Sequence, residues 1–229
     1  MNANLSSLPA AVVFDLDGTL IDSAPDLHAA LNRLMASEKR RPLSLAEVVL
    51  MIGDGVPKLV ERGYQATGEV PKDDEFELRV ARFTADYEKR ATELTSLFPG
   101  VMDALEALRA KNVQLGICTN KPQKATMKVL SFFGLSDMFD AVVGGDQLQG
   151  VRKPDARHIT TVLEILNVAP ADAIMVGDSP NDIYVAINAE VRSVAVSFGY
   201  TRIPVQELGA NRVINHFDEL GGAIAEIYP

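Results

Sequence analysis

The chain has 229 residues, enough for one large domain or for a domain carrying a smaller insertion. Hydrophobic residues make up 47% and charged residues 23%, the balance of an ordinary folded protein, which excludes a disordered or fibrous architecture. A net charge of -9, from 22 Lys and Arg against 31 Asp and Glu, argues against nucleic acid or an anionic membrane surface as the main partner.

The opening MNANLSSLPA has no basic residue and no long apolar run, so it is not read as a secretory signal. No stretch of the chain approaches the roughly 20 apolar residues of a membrane span. The single cysteine, Cys118, excludes an internal disulfide framework and fits a cytoplasmic protein.

The first expected strand is AVVFD (11–15), an apolar run that ends in two acids one residue apart. Strand residues two apart point the same way, so Asp15 and Asp17 should project together from its carboxyl end, where open α/β sheets bind ligands. Two carboxylates held close raise each other's proton affinity unless a cation lies between them or one carries a proton. An aspartate there can also simply cap the next turn. Gly18 fits a tight turn out of the strand, and Thr19 is given a packing role.

From about Ser23 to Glu93 no strand is expected. Helical stripes run through Leu27, Ala30, Leu31 and Leu34 and later through Phe76, Val80, Phe83 and Tyr87. This is read as a helical insertion between two turn-rich hinges, DSAPD and LTSLFPG. Within it His28 has no functional reading, and EKRRP (38–42) reads as a solvated helix end.

Alternation of strand and helix resumes afterwards. A stripe of Val101, Ala104, Leu105 and Leu108 precedes the strand VQLGICT (113–119). Thr119 and Asn120 follow, a hydroxyl and an amide just before a helix N-terminus, a setting that suits an anion as well as an ordinary cap. After the strand AVVGG (141–145), VRKPD (151–155) presents Lys153 before a proline expected to open the next helix, whose stripe is Ile159, Val162, Leu163 and Leu166. AIMVGD (173–178) is a further strand. It ends at Asp178, with Asp182 four residues on, so four carboxylates can converge on one sheet edge. With no cysteine set and three histidines in the chain, all-oxygen ligation favours a hard cation, Mg²⁺ in the first place. Asp182 can equally be a first-turn acid stabilised by the helix dipole. The strand SVAVS (193–197), a short strand at Val213-Ile214 and a closing amphipathic helix complete an open, doubly wound α/β sheet.

The segments DLDGTL (15–20), TN (119–120), RKP (152–154) and GDSPND (177–182) resemble, in this order, the four motifs of the haloacid dehalogenase superfamily. That resemblance implies a Rossmann-like core over residues 1–21 and 94–229 and a helical cap over 22–93. It implies Asp15 as the nucleophile of an aspartyl-phosphate mechanism and Asp17 as the general acid and base. Mg²⁺ would be held by the Asp15 carboxylate, the Asp17 main-chain carbonyl and Asp178, with Asp182 in the outer shell. Thr119 and the Asn120 amide would bind phosphoryl oxygens, and Lys153 would neutralise the transferring group.

An acid at Asp17 is absent from the superfamily's true dehalogenases, so its presence points to phosphate esters. GTLIDSAPDLHAALN, IGDGVPKLVERG and CTNKP look like the bacterial phosphoglycolate phosphatases, whose substrate is 2-phosphoglycolate. Its carboxylate calls for a cation, for which the turn Gly53-Asp54-Gly55 followed by Lys58 and Arg62 is the candidate source. Phosphatases of other specificity (pyrophosphate, nucleotides, sugar phosphates), a β-phosphoglucomutase-like mutase and a non-catalytic binding protein remain as alternatives. The expected partner is a small phosphate ester, for a monomer or homodimer.

Overall fold

The computed structural model of the chain describes residues 8–228. Strand β1 (Ala11–Phe14) and the two-residue β2 (Ile21–Asp22) lead into four helices, α1 (Ala24–Ser37), α2 (Leu45–Val49), α3 (Val56–Thr67) and α4 (Asp73–Arg90). A short β3 (Ser96–Leu97) returns antiparallel to β2. Then follow α5 (Val101–Ala110), β4 (Gln114–Cys118), α6 (Gln123–Phe132), β5 (Ala141–Val143), α7 (Ala156–Leu166), β6 (Ala173–Gly177), α8 (Pro180–Asn188), β7 (Arg192–Val196), β8 (Arg212–Ile214) and α9 (Leu220–Ile227).

Six strands form one parallel sheet in the order β5-β4-β1-β6-β7-β8. Period-two alternation splits each strand between two apolar layers. Val12, Phe14, Leu115, Ile117, Ile174 and Val176 face the layer that includes α5 and α6 residues. Ala11, Val13, Cys118, Ala173 and Met175 face α7 and α8. Both faces are therefore covered, which is why the strands read as unbroken apolar runs. The chain leaves β1 towards β4 on one side and β6 on the other, so the crevice at its carboxyl end is a topological switch point.

The insertion is helical throughout α1–α4; the expected α1 stripe of Leu27, Ala30, Leu31 and Leu34 is buried, and on α4 Phe83 and Tyr87 are buried while Phe76 and Val80 are partly so. The paired β2 and β3 at its base have no counterpart in the sequence reading, because two residues are too few to display a period. Buried Asp26 joins the same two chain ends. Its carboxylate accepts from the Leu94 and Thr95 N–H groups and from the Thr95 hydroxyl, at 2.7–3.1 Å.

Two local expectations change. Arg40 is a clamp rather than part of a solvated helix end, donating to the Tyr64 and Glu69 carbonyls and lying over the Tyr64 ring, while Arg41 is exposed and pairs with Glu47. Pro154 does not open α7. Asp155 takes the N-cap position, accepting from the Arg157 N–H, because a carboxylate there satisfies a helix donor that proline cannot. No helix among the described residues is long and apolar enough to cross a membrane.

Candidate active site

The carboxyl ends of β1, β4 and β6 gather the acids and the lysine that the motifs contain. Asp15 continues β1 by one residue, its N–H donating to the Val176 carbonyl of β6 at 2.9 Å. Its carboxylate lies 2.7 Å from Lys153 Nζ, and the same ammonium lies 2.5 Å from Asp182 Oδ1. The second oxygen of Asp182 accepts from the Ser179 N–H and hydroxyl at the start of α8, so this residue is both a helix-start acid and a partner of Lys153. Gly177 is needed beside it, since a Cβ there would overlap the Asp182 side chain.

Asp178 ends β6. Its carboxylate accepts from the Tyr200 N–H at 2.6 Å and the Thr19 hydroxyl at 3.2 Å, so Thr19 orients an acid in addition to packing. Gly18 turns the chain beside it with φ +90°, and a Cβ there would meet Asp178 Oδ2 at 2.5 Å. A side chain at 18 would thus be strained and in collision.

Burial, checked by Lys153, pushes the Asp15 carboxyl up to about 6. Burial, with Asp182 and Asp15 close by, raises Asp178 well above the usual carboxylate range. Burial also works against the charge of Lys153, but Asp15 and Asp182 outweigh it and raise its pKa. Asp15, Asp178 and Asp182 each offer an oxygen within 4.8 Å of the others. When ionised, three carboxylates around one ammonium leave two negative charges in a buried place. A hard divalent cation with oxygen ligands supplies that balance, so the donor set fits Mg²⁺.

Asp17 lies in a different environment. Its carboxylate accepts from the Ser23 hydroxyl at 2.5 Å and is paired with Lys121 Nζ at 2.8 and 3.1 Å. Lys121 also donates to the Tyr87 hydroxyl of α4. Burial opposes its charge, and Asp17 followed by Tyr87 reverses the balance and raises its pKa. Thr119 is buried at the end of β4. The Asn120 carboxamide is committed to the main chain: it accepts from the Lys153 N–H at 3.0 Å and donates to the Lys153 and Gly53 carbonyls. His158 Nδ1 accepts from that same Lys153 N–H at 3.1 Å.

A cavity of about 40 Å³ opens at this edge. Asp15, Asp17, Thr119 and Lys121 line it from the sheet, and Leu27, Ile52, Leu59 and Tyr87 from the helical insertion. Neither expected insertion cation lines it. Lys58 is exposed and pairs with Glu61, and Arg62 bridges Asp54 and the Met51 carbonyl. The reason is helical phase: Val56, Leu59 and Val60 take the buried face of α3, which leaves positions 58 and 62, one turn apart, off it. Asp54 further accepts from Asn181 at 2.7 Å and Arg202 at 3.3 Å, tying the Gly53–Gly55 turn to the sheet edge.

None of Lys121, Tyr87 and Tyr200 was given a site role from the sequence, where Tyr87 was read only as part of a helical stripe. Lys121 stands directly after the Thr119-Asn120 pair, and its nearness to Asp17 follows from β4 lying beside β1. Tyr87 reaches Lys121 across 34 residues of chain and Tyr200 reaches Asp178 across 22, a proximity no local pattern carries.

Comparison with known proteins agrees with this geometry. The sequence profile of the haloacid dehalogenase-like hydrolases matches residues 12–196. A phosphoglycolate phosphatase of Cereibacter sphaeroides is 44% identical over 209 residues, covering 91% of this chain and 94% of that protein. One of Rhodospirillum rubrum is 43% identical over 218 residues, covering 93% and 90%. Among solved structures, a predicted phosphoglycolate phosphatase from Haemophilus somnus superposes with a TM-score of 0.89 at 28% identity, covering 94% of this chain and 98% of its own. On the profile, the relatives and the shared fold, the chain belongs to the haloacid dehalogenase-like hydrolase family.

Proposed function

We propose that the protein is a Mg²⁺-dependent phosphoric monoester hydrolase that converts 2-phosphoglycolate to glycolate and phosphate through an aspartyl-phosphate. The observation that carries the chemistry is the pairing at one sheet edge of Asp15, beside Lys153, with Asp17 two residues on. The substrate rests on the relatives named phosphoglycolate phosphatase.

In the first step an Asp15 carboxylate oxygen attacks phosphorus as the ester oxygen departs and takes a proton from Asp17. In the second, Asp17 accepts a proton from water as that water attacks the aspartyl-phosphate, releasing phosphate and restoring Asp15. Lys153 neutralises charge on the transferring group. The Thr119 hydroxyl and the Asn120 main-chain N–H hold phosphoryl oxygens, since the Asn120 carboxamide is committed elsewhere. Bound Mg²⁺, held by the Asp15 and Asp178 carboxylates and the Asp17 main-chain carbonyl, would screen the repulsion between carboxylate and phosphate. Asp182 would act on that site from outside, through Lys153. Residues 22–93 form the cap in this reading and exclude water while transfer occurs.

Phosphate release should be compared as kcat/KM across 2-phosphoglycolate, pyrophosphate, a nucleoside monophosphate and a sugar phosphate, with Mg²⁺ and with chelator. A lead for 2-phosphoglycolate of about a hundredfold, on the order of 2.7 kcal/mol of discrimination, and loss of turnover in chelator are expected. A flat profile would remove the substrate, and undiminished turnover in chelator would remove the metal.

A further inference from the structure

We infer that Lys121 binds the carboxylate of the substrate and thereby sets the preference for an acidic leaving group, an inference that rests on the reading of 2-phosphoglycolate above. Three observations converge on this residue. Lys121 is the only cation lining the cavity among the described residues. Its side chain is 2% exposed, and its ammonium sits 2.8 Å from Asp17. Asp17 is the residue that delivers a proton to the leaving oxygen, so that oxygen must come within hydrogen-bond reach of it. In 2-phosphoglycolate the carboxylate carbon is two bonds from that oxygen. A cation meant for it must therefore stand beside Asp17, as Lys121 does.

The surroundings suit an exchange of partners. An ammonium has three protons, and in the structure they serve the Asp17 carboxylate and the Tyr87 hydroxyl. The Tyr87 ring lies 4.7 Å from Nζ, a contact that keeps a buried cation stabilised as its anionic partner changes. Leu27, Ile52, Val56 and Leu59 line the other side of the cavity with apolar surface, which leaves an incoming carboxylate Lys121 as the one cation among the lining residues. Arg62, by contrast, is held by Asp54.

The test compares 2-phosphoglycolate with 2-hydroxyethyl phosphate, which replaces the carboxylate by a neutral hydroxymethyl group, on the Mg²⁺-loaded protein. Lys121→Met should lower the ratio of the two kcat/KM values by about tenfold to a hundredfold, the scale of one charge-assisted hydrogen bond, and Lys121→Arg should restore part of it. Inhibition by glycolate should weaken in parallel. Because any effect of position 121 on Asp17 acts on both esters, it cancels in the ratio. Should Lys121→Met fail to fold, Lys121→Gln, which retains a donor for Asp17, gives the same readout. A wild-type ratio in the folded variant overturns the assignment, as does a collapse of the ratio in Arg62→Ala with none at Lys121. Wild-type protein that shows no preference between the two esters overturns the proposed substrate itself, and the anchor with it.

Discussion

The sheet edge and the Gly53–Gly55 turn that lies across it are built on opposite terms. At the edge, Asp15, Asp178, Asp182 and Lys153 are all 7% exposed or less, and the contacts among them are made between a strand end, the loop before α7 and the first turn of α8. The turn is held by Asp54, Arg62 and Arg202, whose side chains are 25–38% exposed, and its contacts join the helical insertion to loops at the sheet edge. Charges buried in fixed backbone keep their geometry whether or not a ligand is present, which transfer chemistry requires. Partly exposed pairs are weak and reversible, which suits the proposed role of residues 22–93 as a cap that opens for substrate and product. The two regions should therefore respond to substitution on different scales.

The sharpest separation is expected at Asp15. Asp15→Asn keeps the shape of the side chain and a partner for Lys153, yet removes the attacking oxygen's charge. Loss of a nucleophile of this kind lowers turnover by about 10⁴-fold or more, while far-UV circular dichroism should stay that of the wild type. Residual turnover above about one part in a hundred, with the fold intact, would take Asp15 out of the nucleophile's role.

A second prediction concerns what supports the edge from beneath. His158 is fully buried, with Nδ1 accepting from the Lys153 N–H and Nε2 without a partner. Burial first, and the Lys153 charge second, push its pKa down to about 4 from an ordinary 6.5. The folded state thus binds fewer protons than the unfolded one between these values, so stability present above pH 6.5 is lost as pH falls towards 4. By pH 5 this amounts to about 2 kcal/mol. Asp15 and Asp178, whose pKa values burial raises, bind protons more readily in the folded state and oppose this loss, so denaturant unfolding at pH 7.5 and pH 5 should show the histidine's share as a difference, the wild type losing about 2 kcal/mol more than His158→Asn, which retains an acceptor near the Lys153 N–H. Equal losses in both would mean that this histidine does not govern the acid side of stability, and the edge would owe its rigidity to the acids alone.

The same contrast explains what was legible in the sequence. Asp15, Thr119 and Asp178 directly follow β1, β4 and β6, and a strand end can be read from an apolar run followed by Gly, Asp or Asn, while Lys153 before α7 and Asp182 in the first turn of α8 were read from the RKP and GDSPND segments. The helical insertion showed through stripes such as Leu27, Ala30, Leu31 and Leu34, because one buried helix face repeats over several turns. Lys121 was in plain view in CTNKP, but its nearness to Asp17 depends on β4 lying next to β1, a matter of sheet order and not of local pattern. Tyr87 and Tyr200 belong to the same class. Lys58 and Arg62 had the right charge in the right segment, and the phase of α3, fixed by which of its apolar residues meets the core, turned them away.

The smallest expected effect belongs to the turn. Asp54→Ala removes the acceptor shared by Arg62, Asn181 and Arg202, and pairs this exposed contribute about 1 kcal/mol or less, a change of about fivefold. That change should fall on KM more than on kcat, since the turn gathers the substrate's enclosure and touches none of the reacting atoms. Steady-state kinetics on 2-phosphoglycolate separates the outcomes. A loss of a hundredfold or more in kcat would place Asp54 with the chemistry and erase the distinction between edge and turn. No change in either constant would mean that the turn's contacts play no part in closing the site, and the enclosure would then rest on the apolar residues Leu27, Ile52 and Leu59, whose burial stabilises the closed form independently of charge.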